Sequence, residues 1–138
     1  MEGQSRPLLI VDGANVVGSV PDGWWRDRRG AAERLRDSLA GIAAAGLPEG
    51  GGAPSWACGG PLEVLLVVEG AARGVAEVPG VRVASATGSG DDLIVRLAAA
   101  EGPSTGRRCL VATADRELRS RLTALGAAVV GPRTVRPR

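Results

Sequence analysis

The chain is expected to fold as an α/β domain with a central, mainly parallel sheet flanked by helices. Three observations predict this. Apolar runs at 8–11, 64–68 and 109–112 are uninterrupted, segments of helical periodicity separate them, and Gly- or Pro-containing breaks mark the joins. A strand that is apolar throughout is buried on both faces, which in an alternating β/α chain means a parallel sheet between two helical layers. With 138 residues and 44% hydrophobic composition, one core is expected. Residues 1–131 are assigned to a single domain and residues 132–138 to a solvated, basic, Pro-containing tail.

Taken in order, the first strand is Leu8, Leu9, Ile10 and Val11, and it ends on Asp12. A loop over 16–23 leads to a long helix over about 24–45, where Ala32, Leu35, Leu39 and Ile42 recur at three- and four-residue steps, and Gly46 and Pro48 stop it. Residues 46–61, rich in Gly and Pro, read as a flexible surface loop. The second strand, 64–68, also ends on an acid, Glu69, and a short helical piece over about 71–77 precedes a third strand at 81–84. A helix over about 91–100 opens on Asp91 and Asp92. A fourth strand at 108–112 leads through Thr113 and Ala114 to Asp115, followed by a helix over about 115–125 with Leu118, Leu122 and Leu125 on one side. Gly126 ends that helix, and residues 127–130 form a short fifth strand.

Absences narrow the chemistry. With His at 0, a Ser-His-Asp triad, a Cys-His pair and a His-ligated zinc site are all excluded. Every basic side chain is Arg, so a phosphate loop ending in Gly-Lys-Ser/Thr is impossible. The missing Lys also counts against haloacid-dehalogenase-like phosphatases and response-regulator receivers, which share an Asp at a strand end. Gly88 and Gly90 lack the third glycine of a dinucleotide fingerprint, because Leu93 stands there. Cys58 and Cys109 form no C-x-x-C pair and read as free thiols of a reducing compartment. No apolar run approaches the roughly 18 residues of a membrane span, and the opening residues carry no signal-peptide core. A cytoplasmic protein without membrane contact is expected. The net charge of +2 and pI ≈ 9.0 are compatible with a polyanionic partner without requiring one.

What remains is a set of acids. In a parallel sheet the carboxyl ends of the strands share one rim, so Asp12, Glu69 and Asp115, each following a strand, are expected there together with the helix-opening Asp91. Clustered carboxylates repel one another unless a divalent cation sits among them. Asp91, Asp92 and Asp115 also have a plainer explanation, which Asp12, between a buried strand and Gly13-Ala14, lacks. Asp91 and Asp92 suit a helix N-terminus, Ser89 and Asp92 fit a capping box that leaves Asp91 free, and Asp115 suits an N-cap. Asn15 either bonds Asp12 or a phosphate, or makes a local loop bond. The Thr113 hydroxyl either contacts a ligand or caps the last helix. Trp24 and Trp25 could present an indole to a nucleobase, but at least one of them is expected to pack under the long helix.

These segments carry a family resemblance. Val11-Asp12-Gly13-Ala14-Asn15, the Arg-rich helix start, the acid after the second strand, Asp91-Asp92-Leu93-Ile94 and Thr113-Ala114-Asp115-Arg116-Glu117-Leu118 together resemble the NYN branch of PIN-like nuclease domains over nearly the whole chain. The resemblance implies a PIN-like three-layer sandwich and an acidic pocket that binds Mg²⁺ or Mn²⁺ to cleave RNA. By position, Asp12, Asp91 and Asp115 are the implied catalytic acids and Asn15 the signature amide. Glu69 departs from the pattern, since related bacterial domains often have Asp there.

The function expected from the residues and the resemblance together is a metal-dependent ribonuclease, an endoribonuclease by the resemblance. Its metal ligands are drawn from Asp12, Glu69, Asp91, Asp92 and Asp115, and Asn15, Thr113, Arg26, Arg28 and Arg116 contact the substrate. The alternatives are a weak or inactive module that binds RNA or protein, and a metal phosphatase acting on small phosphoesters. The oligomeric state is open, a homodimer included.

Overall fold

A computed structural model describes residues 6–136. Residues 1–5, with the opening read as lacking a signal-peptide core, and Pro137 and Arg138 of the expected tail lie outside the described residues. The architecture is a three-layer α/β sandwich around a five-stranded sheet of order β3-β2-β1-β4-β5, in which every pairing is parallel. The strands are β1 (Leu8–Asp12), β2 (Glu63–Val68), β3 (Val81–Ser85), β4 (Cys109–Ala112) and β5 (Ala128–Val130). The helices are α1 (Gly13–Gly18), α2 (Arg28–Ala45), α3 (Gly90–Glu101) and α4 (Arg116–Ala124). Among the described residues no helix is long and apolar enough to cross a membrane.

Period-2 alternation divides the core. Leu9 and Val11 of β1 join Val64, Leu66, Val68, Leu110 and Ala112 under α1 and α2, while Leu8 and Ile10 join Leu65, Val67, Val111 and the α3 and α4 residues Ile94, Leu118 and Leu122. On α2 the buried stripe is Ala31, Ala32, Leu35, Leu39 and Ala43; Ile42, expected on it, is only half-buried. Each fully buried Leu of this kind contributes about 1.5–3 kcal/mol.

Several boundaries differ from the sequence expectation. The loop expected after β1 is partly helix, because α1 starts directly at Gly13. A Cβ there would stand 2.5 Å from the Val67 carbonyl oxygen, so only glycine lets the helix begin so close to β2. The long helix begins at Arg28, not Trp24: Asp27 is its N-cap, accepting from the Gly30 amide at 2.9 Å, and Trp24–Arg26 form a separate 3₁₀ turn. Gly46 (φ +83°) ends α2 in the left-handed region, as expected.

The 46–61 segment is more ordered than a flexible loop. Leu47 and Ala57 are buried, and the Leu47 amide bonds the Ala57 carbonyl at 2.9 Å. The helical piece expected at 71–77 is only a 3₁₀ turn, Gly70–Ala72. The tail is not solvated as far as it is described: Val135 is buried in the α1/α2 core, and Arg136 bonds the Val17 carbonyl and pairs with Asp22. Cys58 and Cys109 are free thiols, as expected, and burial pushes Cys109 up to about 11.

At the amino-terminal rim an ion-pair network joins the layers. Arg82 of β3 bridges Glu63 of β2 (2.5 Å) and Glu101 of α3 (2.8 Å), and Arg107 closes on Glu63 at 2.5 Å.

Candidate functional site

The opposite, carboxyl-terminal rim holds the acids, and strand parity decides which way they face. Asp12 is two residues beyond Ile10, and Glu69 two beyond Val67, so both fall on the face covered by α3 and α4. Thr113, two beyond Val111, lies on the same face, beside Asp12 in the β1–β4 register that pairs Val11 with Ala112. The N-termini of α3 and α4 bring Asp91 and Asp115 to this rim.

Asp12 is 4% exposed and Thr113 fully buried. The Thr113 hydroxyl donates to Asp12 Oδ2 at 2.9 Å and accepts from the Asp115 amide at 3.2 Å. Burial pushes the Asp12 carboxyl up to about 6; the Thr113 hydroxyl and the Asn15 backbone amide oppose the rise, and the charges of Asp91 and Glu69 add to it. Asp91 is likewise raised, first by desolvation and then by Asp115 and Glu69, with Arg121 opposing. The four acids that follow strands or open α3 therefore form one electrostatic group.

The remaining residues sort themselves by their contacts. Asp115 is the N-cap of α4: its Oδ1 accepts from the Leu118 amide at 2.9 Å, which leaves Oδ2 uncommitted to the cap. Ser89 caps α3 by accepting from the Asp91 amide at 3.1 Å, but the other half of the expected capping box is not made. Asp92 instead lies exposed and pairs with Arg121 at 3.2 Å. Its carboxylate is thus engaged on the α4 side, and Asp91 is the residue coupled to the group. The Asn15 side chain bonds neither Asp12 nor a neighbour in its own loop. Its Oδ1 accepts from the Ala114 amide at 2.8 Å, tying the first turn of α1 to the turn after β4.

Thr113 cannot touch a substrate as expected, because no part of it reaches the surface; it positions Asp12. Arg116 is exposed on the first turn of α4. Arg26 and Arg28 belong to the α2 side, where their guanidinium groups lie 5.7 Å from the Trp25 ring and 5.0 Å from the Trp24 ring. Trp24 packs against the α1/α2 core, as expected for one of the pair, while Trp25 is half exposed. The cation beside the acids is Arg121, which the sequence did not single out. Its neighbours on α3 emerge only once α3 and α4 pack.

The donor set suits a hard divalent cation: carboxylate oxygens alone, with no His and no nearby thiol. Among the described residues no three of these side chains are arranged as a ready-made cage. Mg²⁺ does not require one, since it keeps several waters and is usually held by one or two carboxylates together with substrate phosphates.

No protein-family model matches the chain, and no curated protein matches it at a significant level. Among solved structures it is similar to the crystal structure of Rae1 (YacP) from Bacillus subtilis, with a TM-score of 0.68 and 22% identity over 93% of this chain and 70% of that one. A point mutant of the same protein superposes with a TM-score of 0.66 and 21% identity over 94% of this chain and 72% of that one. The likeness extends across the whole sandwich and is one of fold.

Proposed function

We propose that the chain is a divalent-metal-dependent ribonuclease of the NYN branch of PIN-like nucleases. The observation that carries this reading is Asp12. It is a buried carboxylate coupled to Asp91 and Glu69, and its hydrogen-bond partners among the described residues are neutral: the Thr113 hydroxyl and the Asn15 amide. A divalent cation among these carboxylates would reverse that rise, which supports the reading. The fold shared with Rae1 (YacP) supports the assignment.

Asp12 and Asp91 are the residues that would hold Mg²⁺ or Mn²⁺, with Asp115 and Glu69 within electrostatic reach of them. When bound, such an ion would activate water near neutral pH and neutralise charge growing on the phosphoryl oxygens, in a chain that has no His or Lys to share that work. Thr113 holds the Asp12 rotamer, Asn15 ties α1 to the turn after β4, and Arg28 and Arg116 would orient the phosphate backbone.

The test is cleavage of short RNA and single-stranded DNA in Mn²⁺ and in EDTA. The wild type should cut RNA only with metal, and both Asp12→Asn and Asp115→Asn should lose at least a hundredfold. Cleavage that persists in Asp12→Asn would remove this rim from the account. A second reading, a non-catalytic RNA- or protein-binding module, is favoured by one observation, the absence of a ready-made cage among the described residues. Millimolar Mn²⁺ separates the two: binding to the folded state raises Tm, and a module with vestigial acids shows neither the rise nor cleavage.

A further inference from the structure

A cleft of about 180 Å³ opens beside the acids on the α1/α2 side of the rim. Its walls are Ala14 and Val17 of α1, Trp24 and Arg28 at the entry to α2, and Glu69 with Ala71 after β2. Glu69 lines this wall while its carboxylate lies against Gly90 at the start of α3, among the acids, so the cleft adjoins the acidic group across the rim. We infer that the cleft is a subsite for a single nucleobase of the RNA strand; this rests on the nuclease reading only for the identity of the polymer.

Size, shape and charge support this occupant. An apolar cavity of about 150 Å³ is enough to take up benzene, so a cleft of about 180 Å³ admits one flat ring and not a longer stretch of polymer. The lining is small aliphatic side chains with one indole, the surface on which a base is best held. The Arg28 guanidinium stands over that indole at 5.0 Å, where it can meet the phosphate attached to the base.

The far wall is also fixed in advance. Arg29 donates to the Arg73 and Gly74 carbonyls (2.9 and 3.1 Å) and Arg36 to the Ala76 carbonyl (2.9 Å), so three bonds from α2 hold the chain after Gly70–Ala72 in place. A base entering such a cleft does not have to order its walls.

The experiment uses the full chain in EDTA, with tryptophan fluorescence as the readout. The probes are the four ribonucleoside 5′-monophosphates, with ribose 5-phosphate as the baseless control. Nucleotides should quench saturably and ribose 5-phosphate should not. Ala14→Leu and Ala71→Leu, which fill the cleft from opposite walls at exposed positions, should each weaken the nucleotide at least tenfold, whereas Asp12→Asn should still bind it. Equal binding of ribose 5-phosphate, or wild-type binding by both folded cleft-filling variants, would overturn the subsite. Loss of the nuclease reading would show differently, as metal-independent cleavage or none, with nucleotide quenching intact.

Discussion

The Thr113 hydroxyl donates to Asp12 Oδ2 at 2.9 Å and at the same time accepts from the Asp115 amide at 3.2 Å. One buried oxygen therefore sets the rotamer of the deepest acid and the start of the helix that carries another. Two residues 101 positions apart in the chain become neighbours because β1 and β4 pair in parallel.

Thr113→Val keeps the shape and removes the hydroxyl. Asp12 then loses a donor that opposes its burial, and its carboxyl should move further above about 6. Stability should fall by about 1–3 kcal/mol, because a buried acceptor and the Asp115 amide both lose a partner. The acid limb of the cleavage pH profile should shift upward, and Thr113→Ser should restore it. A limb unmoved in the Val variant would show that the hydroxyl has no hold on Asp12.

Asp12 itself should act against the stability of the metal-free protein. Folding raises its carboxyl from 3.8 to about 6, so folding favours the protonated form. That contribution is complete below about pH 3.8 and disappears as pH rises through about 6. At neutral pH the buried charge is a burden of up to ~3 kcal/mol. Asp12→Asn should therefore raise the Tm in EDTA by several degrees at pH 7.5 and by little or nothing at pH 4, while abolishing cleavage. Thermal melts at the two pH values decide it: an unchanged or lower Tm at pH 7.5 contradicts the burial argument.

How much of this was legible before folding depended on whether the signal was local. The parallel sheet was, because 8–11, 64–68 and 109–112 are apolar without alternation. Asp12 was too, as an acid where a buried strand stops. The helix α1 was hidden because Gly13 and Gly18 bracket it, and the close approach to the Val67 carbonyl that calls for glycine at 13 is a tertiary feature. Thr113 could have been placed by laying the ends of 8–11 and 109–112 side by side, which puts it next to Asp12. The pairing of Asp92 with Arg121 and the docking of Val135 depend on packing between distant elements, so no spacing in the sequence announces them.

The network at the far rim makes a prediction of the opposite sign in pH. Burial tends to raise Glu63, but hydrogen bonds from Arg107 and Arg82 outweigh it and hold the carboxyl below its usual range; Arg82 does the same for Glu101. Carboxylates lowered in this way stabilise the fold above their unfolded pKa, and that stability is lost as pH falls through their folded values. The groups are a third or so exposed, so solvent screening limits the effect. Arg82→Met should lower stability by about 1 kcal/mol at pH 7 and by distinctly less at pH 3. Denaturant titrations at both pH values test this, and an equal loss at each would assign the effect to packing of the Arg82 stem.

Gly90 offers a way to move Glu69 without altering it. A Cβ on Gly90 would stand 2.5 Å from Glu69 Oε1, the free end of a flexible side chain, and the residue opens α3 without a positive φ. Alanine is the better helix former by roughly 0.5–1 kcal/mol, so Gly90→Ala should fold and keep or raise its Tm. The Glu69 carboxylate must swing away from the α3 N-terminus, which weakens its repulsion of Asp12 and Asp91 and removes it from any shared cation. The expected signature is a Mn²⁺ midpoint for cleavage or thermal stabilisation shifted severalfold toward higher metal, with maximal cleavage at saturating metal within about threefold of wild type. Glu69→Gln should reproduce the shift from the other partner. If the midpoint stays at its wild-type value in both variants, Glu69 lies outside the metal's reach and serves only as a wall of the neighbouring cleft.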